Sequence, residues 1–405
     1  MMNKLTNFIM LGIFCLPIFL FGQQAKDLGR LTIYENHFYN EVLKALKSET
    51  SGGKEVFQAI PSNIVIPSSI DEFKTIWKMN PVSQGRTGTC WDYSASSFYE
   101  SEIKRITGRT IKLSEMYFTY YEYLSKAEEY IQSKGNSNFS EGSEANAVTR
   151  QMKLHGAVPF EAFSGNKRNT AYPDHATMVV DMVTLLDGYK ARKQWDRELI
   201  LNGIRVILNS YLGVPPESFE FEGVKHTPES FLREIAFLDP SQYIDFMSLK
   251  SEPYWSLAEY KVPDNYWHSN NYHNVPLDVF MDVVKNAIKM GYSLAIGGDV
   301  SEAGYLAQYD VAFVPSFDIP SDYIDENARQ FRFSNRSTTD DHGVHLVGYK
   351  ITDDGTWWFL IKDSSSSSFN GKQKGYYFYH EDYLKLKIMN ITVHKDAVQE
   401  VLKKF

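Results

Sequence analysis

A single cysteine sets the terms on which this chain can fold. Of its two cysteines, Cys15 lies in an N-terminal apolar run, Phe8 to Phe21, that follows Lys4 and gives way to Gly22 and the polar pair Gln23-Gln24. A basic start, a short apolar stretch and a small residue at its end form the pattern of a secretory signal peptide, here residues 1–22. The run is short and interrupted by Pro17, which argues against a retained membrane anchor. Phe14 before Cys15 and the apolar residues after it argue against a lipid attachment there. Once the leader is removed, Cys90 is the one remaining thiol, and no disulfide within the chain can brace it. Stability must then come from buried apolar surface, which 405 residues at 43% hydrophobic and 15% aromatic can supply.

The same composition narrows the function classes. Charged residues are 23% of the chain and the net charge is −8, which excludes disordered, collagen-like and multi-span membrane classes. Mild acidity argues against a nucleic-acid partner, which would call for a basic stripe. Length alone allows roughly two or three domains. The expected location is periplasmic or extracellular, with no stable membrane insertion after the leader is lost.

A lone thiol exported to an oxidising compartment either hides in the core or performs chemistry. Count alone favours burial; placement favours chemistry. A glycine-punctuated loop, Asn80 to Thr89, runs into a segment in which Trp91, Ala95, Phe98, Glu102 and Ile106 recur at helical spacing until Gly108 stops it. Thr89 with Asp92 has the form of a capping box, so Cys90 opens the helix. The N–H groups and dipole there favour an anion and raise the reactive fraction of a thiol. Gln84 lies upstream across Gly85 and Gly88, where the loop can fold back and offer a side-chain amide to an oxyanion.

Gln84-Gly85-Arg86-Thr87-Gly88-Thr89-Cys90-Trp91 with Ser94 resembles the nucleophile motif of the papain superfamily. Thr87 stands where secreted papains usually carry a disulfide cysteine, a departure shared with the bleomycin hydrolase and aminopeptidase C branch. A base must come from distant sequence. His342, in Asp341-His342-Gly343-Val344-His345, resembles the family's histidine-bearing strand. His345 is three positions on and, at the period of a strand, faces the other side. Further Cys or His at zinc spacing is lacking, so a metal pair is disfavoured.

Trp357 to Lys362 reads as a buried strand leading to Asp363. The resemblance calls for Asn followed by Ser-Trp-Gly here, the Asn orienting the imidazole and the Trp shielding the pair. Asp363 is followed instead by Ser364 to Ser368. Asp can accept from the imidazole and stabilise its charged form. The serine run reads as a solvated loop, and Phe369 is the candidate shield. Ser140 to Ser143 resembles the strip along which such enzymes lay the substrate backbone, giving Gly142 and Ser143, with Trp91 beside the nucleophile, as candidate substrate contacts.

The resemblance covers most of the mature chain. It implies an α+β fold, papain-like and two-lobed, with a large helical insertion. Cys90 and His342 lie further apart than the roughly 130 to 150 residues of ordinary papains, by something on the order of 100 residues. The organisation expected is residues 1–22 signal peptide, 23–164 N-terminal segment and helical lobe, 165–275 helical insertion, and 276–405 β-rich lobe. The resemblance implies a cysteine peptidase acting on peptide substrates without cofactor or metal: Cys90 attacks, His342 transfers the proton, Asp363 orients it, and Gln84 with the Cys90 N–H holds the oxyanion. In this branch the chain's own C-terminal carboxylate pairs with the substrate's α-amino group, giving aminopeptidase action, and the subunits form a homohexamer. The tail here, Thr392 to Phe405, reads as short for that role. An endopeptidase, an inactive binding protein of the same fold and a transglutaminase-like acyltransferase are the rival readings.

Overall fold

The helix that Cys90 opens belongs to an apolar core among helices and packs on a sheet with a second large apolar core of its own. The computed structural model describes residues 26–405; the expected leader, with Cys15, lies outside the described residues. No described helix is long and apolar enough to cross a membrane. The helices are α1 (His37–Ala45), α2 (Cys90–Thr107), α3 (Glu115–Gln132), α4 (Ala145–His155), α5 (Ala176–Arg192), α6 (Arg197–Tyr211), α7 (Pro228–Glu234) and α8 (Leu277–Lys289), with shorter ones beyond.

Helix α2 is buried almost all round, from Trp91 to Ile103, because α3 and α4 cover one flank and the sheet covers the other. The apolar stripe read from sequence is therefore too narrow a description, and its last member, Ile106, is exposed. Gly108 ends the helix at φ 74°, a left-handed position suited to glycine. Thr89 precedes Cys90 but makes no side-chain cap. Its hydroxyl meets that of Thr87 at 2.7 Å, and Asp92 turns inward to accept from Ser96 and Thr119. The expected capping box is thus not formed: each group found a buried partner with a better claim.

The helical core joins Phe98, Tyr123 and Val148 to Met178, Leu186, Ile200, Ile204 and Leu208, so α5 and α6 extend the first lobe rather than building a core of their own. Thr227 caps α7 through the Ser230 N–H at 3.2 Å, with Pro228 in the first turn, as expected. The segment 165–275 differs from a purely helical insertion in its last third. Tyr243–Met247, Ser256–Ala258 and Tyr272–Asn274 are strands of the large sheet. Phe246 and Met247 are fully buried there, and such short runs carry too little periodicity to separate from helix by sequence.

In the sheet, Tyr376–His380, Trp357–Lys362, His342–Ile351, Leu294–Gly298, Ile388–His394 and Tyr243–Met247 lie side by side in that order, each antiparallel to the next. Helix α8 packs behind it through Phe280, Val284 and Ile288. The N-terminal segment forms a separate two-stranded ribbon, Leu28–Tyr34 with Lys54–Ile60. Helix α1 then reaches the loop after Asp363: Asn36 Nδ2 donates to Ser366 Oγ at 3.0 Å, the Phe38 N–H donates to Asn370 Oδ1 at 2.9 Å, and Phe38 stacks on Phe369 at 4.7 Å between centroids.

Candidate active site

Close approach of α2 to the sheet puts the thiol and the imidazole in one cleft. A Cβ on Gly343 would fall 2.9 Å from Ser94 Oγ and 3.2 Å from Trp91 Cα, so a side chain at 343 would push the helix off the strand. His345, on the same face as Gly343, is fully buried, and its Nδ1 lies 2.8 Å from Ser97 Oγ on α2. Burial, with the charges of Lys362 and Lys78, holds it neutral. His342 points the other way, into the cleft that Cys90 also lines.

The His342 ring answers to two groups. Its Nε2 meets Asp363 Oδ1 at 2.8 Å, and Cys90, which lines the same cleft, is the second group that acts on it. Burial disfavours the charged ring, but Asp363 and then Cys90 outweigh it and hold His342 well above the ordinary imidazole value. Asp363 is buried too, yet the His342 charge and the Ser365 donors keep its carboxyl below the usual carboxylate range. The arrangement favours an imidazolium beside a carboxylate, with the Cys90 thiol lining the same cleft.

The serine run is wired into this site rather than solvated. The Ser365 N–H and hydroxyl donate to Asp363 at 2.7 and 2.8 Å, and the Tyr305 hydroxyl donates to Asp363 Oδ2 at 3.2 Å. Ser364 Oγ donates to Gln84 Oε1 at 2.7 Å, while the Gln84 N–H donates to the Ser364 carbonyl at 2.9 Å. Ser368 is fully buried, its hydroxyl donating to the Ser365 carbonyl at 2.7 Å. Gln84 gives one amide N–H to the Thr87 carbonyl at 2.7 Å, and the side chain carries a second. Phe369, the expected shield, stacks on Phe38 instead. Tyrosines stand behind Asp363: Tyr305 packs on Tyr377 at 4.5 Å, and the carboxylate's field reaches Tyr377 and Tyr379. An acid followed two residues later by serine is an Asx-turn signal that sequence could have supplied; the tyrosines gave none.

The other candidate substrate contacts gather on the opposite wall. Trp91 is 1% exposed and donates from Nε1 to the Glu141 carbonyl at 3.0 Å, so it fixes the strip rather than offering its face. Ser143 turns its hydroxyl to Glu122 Oε1 at 2.7 Å. The Gly142 carbonyl accepts from Lys126 Nζ, and the Asp264 carboxylate lies over its Cα, 2.2 Å from where a Cβ would stand. Glu144, Asp264, Asp340 and Asp341 line the same cavity as Cys90 and His342; of these, sequence analysis singled out none. The tail ends elsewhere, with Phe405 against His273 and Trp255. Among the described residues no group of three or more His, Cys, Asp or Glu is placed to hold a metal ion.

The comparisons give this arrangement a class: the chain is a cysteine-type peptidase. It belongs to the Peptidase C1-like family, whose profile matches residues 181–405, the stretch with His342 and Asp363. It is 23% identical over 365 residues to an aminopeptidase C of Streptococcus thermophilus, covering 78% of this chain and 80% of the relative. With an aminopeptidase C of Lactobacillus delbrueckii subsp. lactis it shares 22% over 374 residues, covering 80% and 81%. The crystal structure of PepW from Lactobacillus rhamnosis superposes with a TM-score of 0.63 at 17% identity, over 81% of this chain and 84% of that one, which shows the α+β, papain-like fold. The resemblance to the aminopeptidase C branch is borne out.

Proposed function

We propose that the chain is an exported thiol aminopeptidase in which Cys90 is the nucleophile and His342 the proton carrier. The observation that carries this reading is the His342 ring, held at 2.8 Å by Asp363 in the cleft that the thiol opening α2 also lines. The thiolate attacks the peptide carbonyl, and the oxyanion takes the Cys90 backbone N–H and the remaining Gln84 amide proton. His342 then gives its proton to the leaving amine. It next takes one from water, which hydrolyses the thioester and frees the thiol. The relatives' names support the amino-terminal preference, and residues 1–22 support export.

Cys90→Ala is expected to cut kcat/KM on a fluorogenic aminoacyl amide by about 10³-fold or more. Retained hydrolysis would refute the nucleophile, and equal cleavage of the substrate and its N-acetyl twin would refute aminopeptidase action. A mature protein whose measured mass still includes Met1 would refute export.

A further inference from the structure

The geometry points to a cation-binding subsite in which Glu144, Asp264 and Asp340 receive an ammonium group of the peptide beside the Gly142–Ser143 strip. This rests on reading the cleft as a peptidase cleft and names the group it recognises. Glu144 precedes α4 at the position where a carboxylate would ordinarily cap the helix, yet it makes no cap. Its side chain turns into the cavity that Cys90 lines. There it is 3% exposed, and Asn390 Nδ2 donates to its Oε2 at 3.2 Å. Its Oε1 is shielded from solvent and meets no donor. The neighbour that Glu144 faces is a second carboxyl, Asp340, close enough to share a proton with it, and Asp264 adds a third charge close by.

Three acids gathered in a buried pocket are costly to hold together, and the cation whose field offsets Asp264 is Lys126. Burial and mutual repulsion push Glu144 well above the carboxylate range and Asp340 up to about 7. Lys126 spends its hydrogen bonds on the Ser140 and Gly142 carbonyls, so it reaches Asp264 through its field alone. The cleft that these acids share with Cys90 and His342 leaves about 20 Å³ free, room for roughly one water-sized group, which is the size of an ammonium head. An ammonium supplies three donors and a positive charge, and so meets the orphaned oxygen and the repulsion together. The Phe405 ring packs against His273 and Trp255.

The ammonium can come from a free α-amine or from a lysine side chain, and three substrates separate these. They are leucine aminomethylcoumarin amide, its N-acetyl twin, and N-acetyl-lysyl-leucine aminomethylcoumarin amide. Wild type is expected to favour an ammonium-bearing substrate over the neutral twin, the preferred one naming the source. Glu144→Gln and Asp264→Asn are each expected to lower that preference by about 30-fold or more. A purely structural role would lower all three rates together and leave the ratio standing. A preference absent in wild type, or intact in both variants, overturns the subsite. A second readout needs no turnover: leucyl-leucinamide, but not its N-acetyl twin, is expected to slow iodoacetamide labelling of wild-type Cys90, and Glu144→Gln to abolish the effect. Protection without hydrolysis would sink the peptidase reading and keep the subsite; hydrolysis without preference or protection would do the reverse.

Discussion

Restoring an amide at position 363 separates the charge of Asp363 from its shape. In Asp363→Asn, the amide oxygen can still accept from His342 Nε2, and the Ser365 and Tyr305 hydroxyls can turn to accept from the new NH2 group. Only the negative charge is lost. With Nε2 and Oδ1 at 2.8 Å, the charge centres stand about 4 Å apart, and an effective dielectric of about 20 gives an attraction of roughly 4 kcal/mol. Ser365 and Tyr305 already draw on the same carboxylate, so only part of this is lost, and the His342 value is expected to fall. The sign follows from which form works. Proton delivery needs the imidazolium, so activity is lost as pH rises through the His342 value, and the alkaline limb of kcat/KM moves to lower pH in the variant. Profiles of both proteins from roughly pH 4 to 10, at constant ionic strength, read this directly. An alkaline limb that stays in place while activity falls at every pH would show that Asp363 only aims the ring, and the electrostatic reasoning would be wrong.

Gln84→Ala is expected to lower kcat by about 10² to 10³-fold with little change in KM, the pattern for a lost oxyanion donor; Ser364→Ala, which unties the Gln84 amide, should give a smaller loss of the same kind. Unchanged kcat in Gln84→Ala would remove it from the oxyanion site. Gly343→Ala should destabilise the fold by about 1 to 3 kcal/mol in urea unfolding, because the added methyl meets both the Ser94 hydroxyl and the α2 backbone at Trp91. Wild-type stability in that variant would mean the helix can slide.

What could be read from sequence followed the range of the interactions. Helix α2, its Gly108 stop, the Thr227 cap and the Trp357–Lys362 strand are local events, each written in a few adjacent residues. The opposed directions of His342 and His345 needed only the pleat. Thr89 and Asp92 were misread because side chains from Thr87, Ser96 and Thr119 outcompeted the helix end, and a capping box is visible only when nothing else bids for its members. The serine run was misread for a related reason: its polar composition suits a solvated loop, and only the fold brings Gln84 and α1 against it. Glu144, Asp264 and Asp340 come from three distant segments, and no spacing rule joins them.

The brace between α1 and the loop after Asp363 also fixes when the site can exist. Residues 36–38 hold residues 366–370, the oxyanion loop leans on Ser364, and the strand carrying His342 is flanked on one side by Trp357–Lys362. Almost the first described residues and some of the last must therefore be in place together. During synthesis the nucleophile emerges long before the groups that arm it. A half-made chain carries a bare thiol and no protease.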